Sequence, residues 1–95
     1  LGRWCIECKR YGPGSDPLDE WWDQVIASSG PSGLPALIYK FNRKPIKVRL
    51  LGESISDELI GSGILIDISF DAFIELLQLR FQKDIDFHNQ QDELQ

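Results

Sequence analysis

Residues Arg3 to Lys9 alternate in character, with Trp4, Ile6 and Cys8 of one parity and Cys5, Glu7 and Lys9 of the other. This two-residue repeat predicts a strand. Its apolar set is expected to face the core, and its second set ends in a carboxylate and an amine side by side. A Gly-Pro-Gly turn follows within Tyr11 to Ser15. Asp16 as N-cap, Pro17 at the first helical position, and Asp19 and Glu20 in the first turn then predict a helix to about Ser28. Leu18, Trp21, Trp22, Val25 and Ile26 fall on one helical stripe, with Gln24 on its border beside Trp21.

Gly30-Pro31-Ser32-Gly33 ends that helix, and Ala36 to Phe41 reads as a strand by length and β-forming content. After the turn Asn42-Arg43-Lys44-Pro45, the run Ile46 to Leu50 alternates apolar with basic, which predicts an antiparallel hairpin with one wet face. Gly52 to Ser62 is polar and turn-rich, and Ile64-Leu65-Ile66 is expected to form a further short strand. Ser69 can cap a second helix whose apolar face is Phe73, Ile74, Leu77 and Phe81. Periodicity is lost after Lys83. The expected organisation is one core over residues 1–83 and a flexible acidic and polar tail over 84–95, without internal repeats. The fold class is α/β (α+β), a central mixed β-sheet flanked by helices.

Composition is that of a globular protein, 42% hydrophobic over 95 residues. A chain of this size buries only roughly 60–65% of its unfolded surface, so a partner or further segment would strengthen its core. The sequence starts at Leu1 and has no methionine, and on that basis reads as a fragment. No run reaches the roughly 20 apolar residues of a membrane span and no signal segment opens the chain, so an intracellular, cytoplasmic location is expected. The net charge of −5 is polarised: residues 1–50 carry +3 and residues 51–95 carry −8. A locally basic first half is compatible with phosphate contacts despite the acidic total.

A carboxylate and a lysine on alternate residues of one strand suit phosphodiester hydrolysis. Glu7 can bind a hard cation such as Mg²⁺ (or Mn²⁺), with the backbone carbonyl of Cys8 as a second oxygen ligand, while Lys9 neutralises charge developing on phosphorus. Glu-x-Lys alone is uninformative. Its context gives it weight: an apolar strand, a turn, an amphipathic helix with a bordering Gln, then a strand ending in Tyr39-Lys40.

Cys5-Ile6-Glu7-Cys8-Lys9-Arg10-Tyr11, Glu20-Trp21-Trp22-Asp23-Gln24 and Pro35-Ala36-Leu37-Ile38-Tyr39-Lys40, with Asn42-Arg43-Lys44-Pro45 behind them, resemble the PD-(D/E)XK nuclease superfamily. Within it they look most like small phage-type endonucleases and Holliday-junction resolvases. The resemblance covers residues 3 to 51, about half of the chain. It implies a restriction-endonuclease-like core, a DNA substrate, a phage-encoded source, and catalytic roles for Glu7, Lys9 and Gln24. It also implies a metal-dependent DNA endonuclease, and, since two nicks need two sites, a homodimer by analogy. One departure matters: the superfamily's first acidic residue, an Asp on the preceding strand, has no counterpart before Arg3. A missing N-terminal segment or a second chain is therefore expected to complete the site, and this chain alone is expected to lack activity.

Blander readings stand beside these. Glu7 and Lys9 could be an ordinary strand ion pair, and Gln24 a border residue without a task. Arg10, Lys40, Arg43 and Lys44, with Lys47 and Arg49, form the densest basic patch, which would contact DNA phosphates in a nuclease and otherwise be a solvated hairpin face. Cys5 and Cys8 match C-x-x-C, but no second pair accompanies them and an extended strand turns the thiols to opposite faces, which disfavours zinc or dithiol chemistry. The principal alternative function is a catalytically inactive nuclease-fold module for DNA binding or assembly.

Overall fold

A computed structural model describes residues 3–80 of the chain. The expected tail, 84–95, and Phe81 lie outside the described residues. The elements are β1 (Trp4–Arg10), α1 (Asp19–Ser29), β2 (Leu34–Lys40), β3 (Lys47–Leu51), two short 3₁₀ turns (Gly52–Ser54 and Asp57–Leu59) and β4 (Leu65–Ser69). A second helix, α2, occupies residues 70–80. The strands form one sheet in the order β1-β2-β3-β4. β1 and β2 are parallel, so a crossover must join them and α1 supplies it. β3 and β4 complete the sheet as an antiparallel meander.

Adjacent residues of β2 divide the core. Leu37 and Tyr39 pack with Trp22 and Val25 of α1, whereas Ala36 packs with Val48, Leu50 and Phe73 of α2. Neighbours on a strand point to opposite faces, so the two helices cover opposite sides of the sheet. Val25, Leu37, Val48, Leu50 and Phe73 are all buried to under 2% exposure, and each contributes about 1.5–3 kcal/mol by leaving water. Trp4 reaches this second layer from β1, edge-on to Phe73 with ring centroids 5.5 Å apart.

β1 and β3 are each one residue later than the sequence expectation, β2 ends at Lys40 rather than Phe41, and larger differences fall at the starts of α1, β2 and β4. Asp16 and Pro17 do not open α1: Leu18, extended at φ −70° and ψ 142°, occupies the N-cap position without a side-chain cap. Pro17 is buried instead, and anchoring it against the core keeps the chain extended for one more residue. Asp19 and Glu20 do lie in the first turn, where carboxylates favour the positive end of the helix. β2 begins at Leu34 and includes Pro35, whose nitrogen has no hydrogen to give. The β2–β3 ladder starts one residue later, at Ala36 paired with Leu50. β4 is shifted to Leu65–Ser69 because Ile66 and Ile68, two residues apart, both pack toward α2. The Ser69 cap is as expected, its Oγ accepting from the Ala72 amide at 3.1 Å.

The apolar parity of β1 is also less covered than expected. Trp4 is packed, but Ile6 is 45% exposed and Cys8 is exposed. Phe73 of α2 packs with Ala36, Val48 and Leu50, and Trp4 is the β1 residue that joins this cluster. Among the described residues, β1 has a strand on one side only. The Leu34 amide donates to the Arg3 carbonyl at 2.7 Å and the Tyr11 amide to the Lys40 carbonyl at 3.0 Å, so odd-numbered residues of β1 turn their backbone groups toward β2. Backbone direction alternates along a strand, which sends the amides and carbonyls of Trp4, Ile6, Cys8 and Arg10 out of the open edge.

Candidate functional site

Strand register decides which side chains share a face. Glu7 lies beside Leu37, Leu37 beside Arg49, and Arg49 beside Asp67, making one row across the sheet. Lys9, Tyr39, Lys47 and Ser69 make the next row. Both rows are on the α1 side, because Leu37 and Tyr39 pack under that helix. Glu7 and Lys9 therefore project together from the same face of β1, and both are half-buried.

Lys9 and Gln24 line one open cleft with Trp21, Glu20 and Asp23, about 490 Å³ in volume. Gln24 reaches it because Trp22 and Val25 turn inward, which leaves Gln24 exposed on the helix border. Glu7 is one pleat further back on the same face and does not line this cleft. Among the described residues the ion pair is Arg49 with Asp67, so neither Glu7 nor Lys9 has a charged partner.

A hard cation such as Mg²⁺ is commonly held by one or two carboxylates plus substrate phosphates and water. Among the described residues no three His, Cys, Asp or Glu side chains gather into a metal-holding group. The oxygen donors near the Glu7 position are its own carboxylate and the Cys8 carbonyl, which points out of the open edge. They suit such an ion in kind and supply the minimum in number. Both thiols are free, Cys5 half-buried and Cys8 exposed, on opposite faces of β1.

The basic residues do not converge on this site. Arg10 pairs in register with Lys40 on the face opposite Glu7 and Lys9. The Lys40 ammonium donates to the carbonyls of Phe41 at 3.2 Å and Lys44 at 3.0 Å, and so ties the hairpin turn. Arg43 sits at the tip of that turn with φ 61°, exposed. Lys44 lines a separate cleft of about 220 Å³ with Asp16, Tyr39, Lys47 and Asp67.

Beside that second cleft lies a polar cluster of Tyr39, Arg49 and Asp67 that was not foreseen from the sequence. Arg49 grips Asp67 with two bonds, Nε to Oδ1 at 2.7 Å and Nη2 to Oδ2 at 2.9 Å, and the Tyr39 hydroxyl donates to Oδ2 at 2.9 Å. Partial burial pushes the Asp67 carboxyl upward, but the Arg49 and Tyr39 hydrogen bonds outweigh it and hold the group below the usual carboxylate range. Burial first, and the bond to Asp67 second, push the Tyr39 phenol well above its ordinary range. The one available signal was a lone Asp within Ile64-Leu65-Ile66-Asp67-Ile68, facing a Tyr and an Arg on neighbouring strands. Because both oxygens of Asp67 are engaged by these partners, the cluster reads as a structural tie between β2, β3 and β4.

No known protein family matches the chain, and no curated protein or solved structure does so either.

Proposed function

We propose that this chain carries part of a restriction-endonuclease-like core and serves the metal-dependent hydrolysis of DNA phosphodiester bonds. The observation that carries the reading is the projection of Glu7 and Lys9 from one face of an edge strand, with the Cys8 carbonyl at the open edge between them. The mixed sheet with a helix on each side agrees with the architecture that the resemblance implies.

In this reading Glu7 and the Cys8 carbonyl hold Mg²⁺ or Mn²⁺. Such an ion, when bound, polarises the phosphate and lowers the pKa of a coordinated water. Lys9 offsets negative charge on the phosphoryl oxygens, and Gln24, across the cleft from it, orients the nucleophile or the phosphate. One carboxylate is fewer than two-carboxylate phosphodiesterase sites use, so the reading requires a second from a segment lying along the open edge of β1.

Mn²⁺ titration of the protein, followed by water-proton relaxation, tests the ligand assignment. Glu7→Gln should weaken Mn²⁺ binding by tenfold or more. DNA association that is salt-sensitive but indifferent to Mn²⁺ and to Glu7 would favour the second reading, an inactive nuclease-fold module for DNA binding or assembly. That no group of three or more His, Cys, Asp and Glu side chains gathers at the site among the described residues is what speaks for that alternative.

A further inference from the structure

The open edge of β1 carries an unusual combination. Among the described residues its outward backbone groups are unpaired and, on one face, Glu7 and Lys9 have no charged partner, while on the other face Ile6 is 45% exposed. Exposed edges of this kind are templates for another strand. We propose that the edge pairs with β1 of a second copy of this chain, antiparallel and about a twofold axis through Cys8.

Two constraints choose that register. The backbone groups that point outward belong to even-numbered residues, so an antiparallel partner must set even residues opposite even ones. Counted over Trp4–Arg10, the registers that pair five or more residues of each strand place Cys8 opposite the partner's Trp4, the partner's Ile6 or the partner's Cys8. The first sets Lys9 opposite the partner's Arg3 and the second sets Glu7 opposite the partner's Glu7, and like charges directly opposed are unfavourable. Only the third register, Cys8 opposite the partner's Cys8, places Glu7 opposite the partner's Lys9 and, by symmetry, Lys9 opposite the partner's Glu7. These are non-hydrogen-bonded positions, where facing side chains come closest. Ile6 then lies opposite the partner's Arg10, whose methylene stem covers part of its exposed surface.

This interface also bears on the proposed activity, and here the inference rests on that reading. In the chosen register Glu7 and the partner's Glu7 are diagonal neighbours, about 7–8 Å apart at the backbone and within reach of a shared ion. The second copy thereby supplies the second carboxylate.

Sedimentation equilibrium without DNA or metal, on the wild-type protein and three variants, tests the interface separately from the chemistry. The wild type should dimerise at micromolar to submillimolar concentration. Glu7→Lys and Lys9→Glu should each weaken the dimer by about tenfold or more, since each turns two favourable cross-strand contacts into two repulsive ones. The double variant E7K/K9E should restore it. A short bismaleimide should also link Cys8 to the partner's Cys8 in the wild type and not in Cys8→Ser. A monomeric wild type, or a dimer that both single reversals leave unchanged, would overturn the proposal. A dimer that neither binds Mn²⁺ nor cleaves DNA would leave the interface standing and remove the nuclease reading.

Discussion

The Tyr39 hydroxyl spans β3 to reach Asp67, donating to its carboxylate at 2.9 Å while Arg49, on the strand between them, holds both oxygens of the same group. One carboxylate thus joins three strands on the face that α1 leaves open beyond β2. It fixes the edge strand β4 by side-chain bonds in addition to its ladder, and α2 follows directly from that strand.

This linkage sets a pH dependence. Asp67 has a lowered pKa in the fold, so its contribution is complete above the unfolded value of about 4 and is lost as pH falls through the folded value. Tyr39 has a raised pKa, so its contribution is complete below about pH 10 and is lost as pH rises beyond that. Thermal unfolding between pH 3 and pH 11 should show both limbs. Asp67→Asn should cost about 1–2 kcal/mol near neutrality, kept modest by solvent screening, and flatten the acid limb. Tyr39→Phe should cost about 0.5–1.5 kcal/mol and flatten the alkaline limb.

Gly33 turns the chain from α1 into β2, and a Cβ there would stand 2.2 Å from the Ser29 carbonyl oxygen. Backbone cannot yield as a flexible side chain would, so α1 must shift off the sheet. Gly33→Ala should destabilise the fold by about 1–3 kcal/mol in urea unfolding. Gly30→Ala provides the contrast. Its added Cβ meets nothing within 4 Å, and the penalty there is confined to its φ of 69°.

Phe73 is 1% exposed and touches both Trp4 and the β2–β3 layer, so it fastens α2 to the sheet. Phe73→Ala should cost about 3–5 kcal/mol. Leu79, 60% exposed on the same helix, should tolerate alanine with a change within about 0.5 kcal/mol.

The parts of this fold visible in the sequence were those governed by local pattern. Alternation located β1 and the β2–β3 hairpin, helical spacing gave Trp22 and Val25 of the expected stripe while its ends Leu18 and Ile26 stay exposed, and Ser69 marked the start of α2. What escaped depended on packing between distant segments. The burial of Pro17 moved the start of α1, and the demand of α2 for Ile66 and Ile68 moved β4. Ile6 was expected inside because it shares a face with Trp4 and Cys8, yet only Trp4 joins the core cluster on that side and Ile6 is 45% exposed. At the candidate site, alternation sufficed to put Glu7 and Lys9 on one face and helix spacing to bring Gln24 to Lys9. Spacing along one strand could not show that Lys40 is spent on its own turn, or that Arg10 faces the other way. Nor could it reveal Asp67 with its two partners, which meet only when three strands align.

Cleavage of plasmid and branched DNA in Mg²⁺ by the intact gene product tests the proposed chemistry most directly. The wild type should nick or cut, Glu7→Ala and Lys9→Ala should each lower the rate by about a hundredfold or more, and Gln24→Ala should lower it less. Cutting that persists undiminished when Glu7 and Lys9 are replaced, or a well-folded intact protein that cuts no DNA in Mg²⁺ or Mn²⁺, would contradict the account.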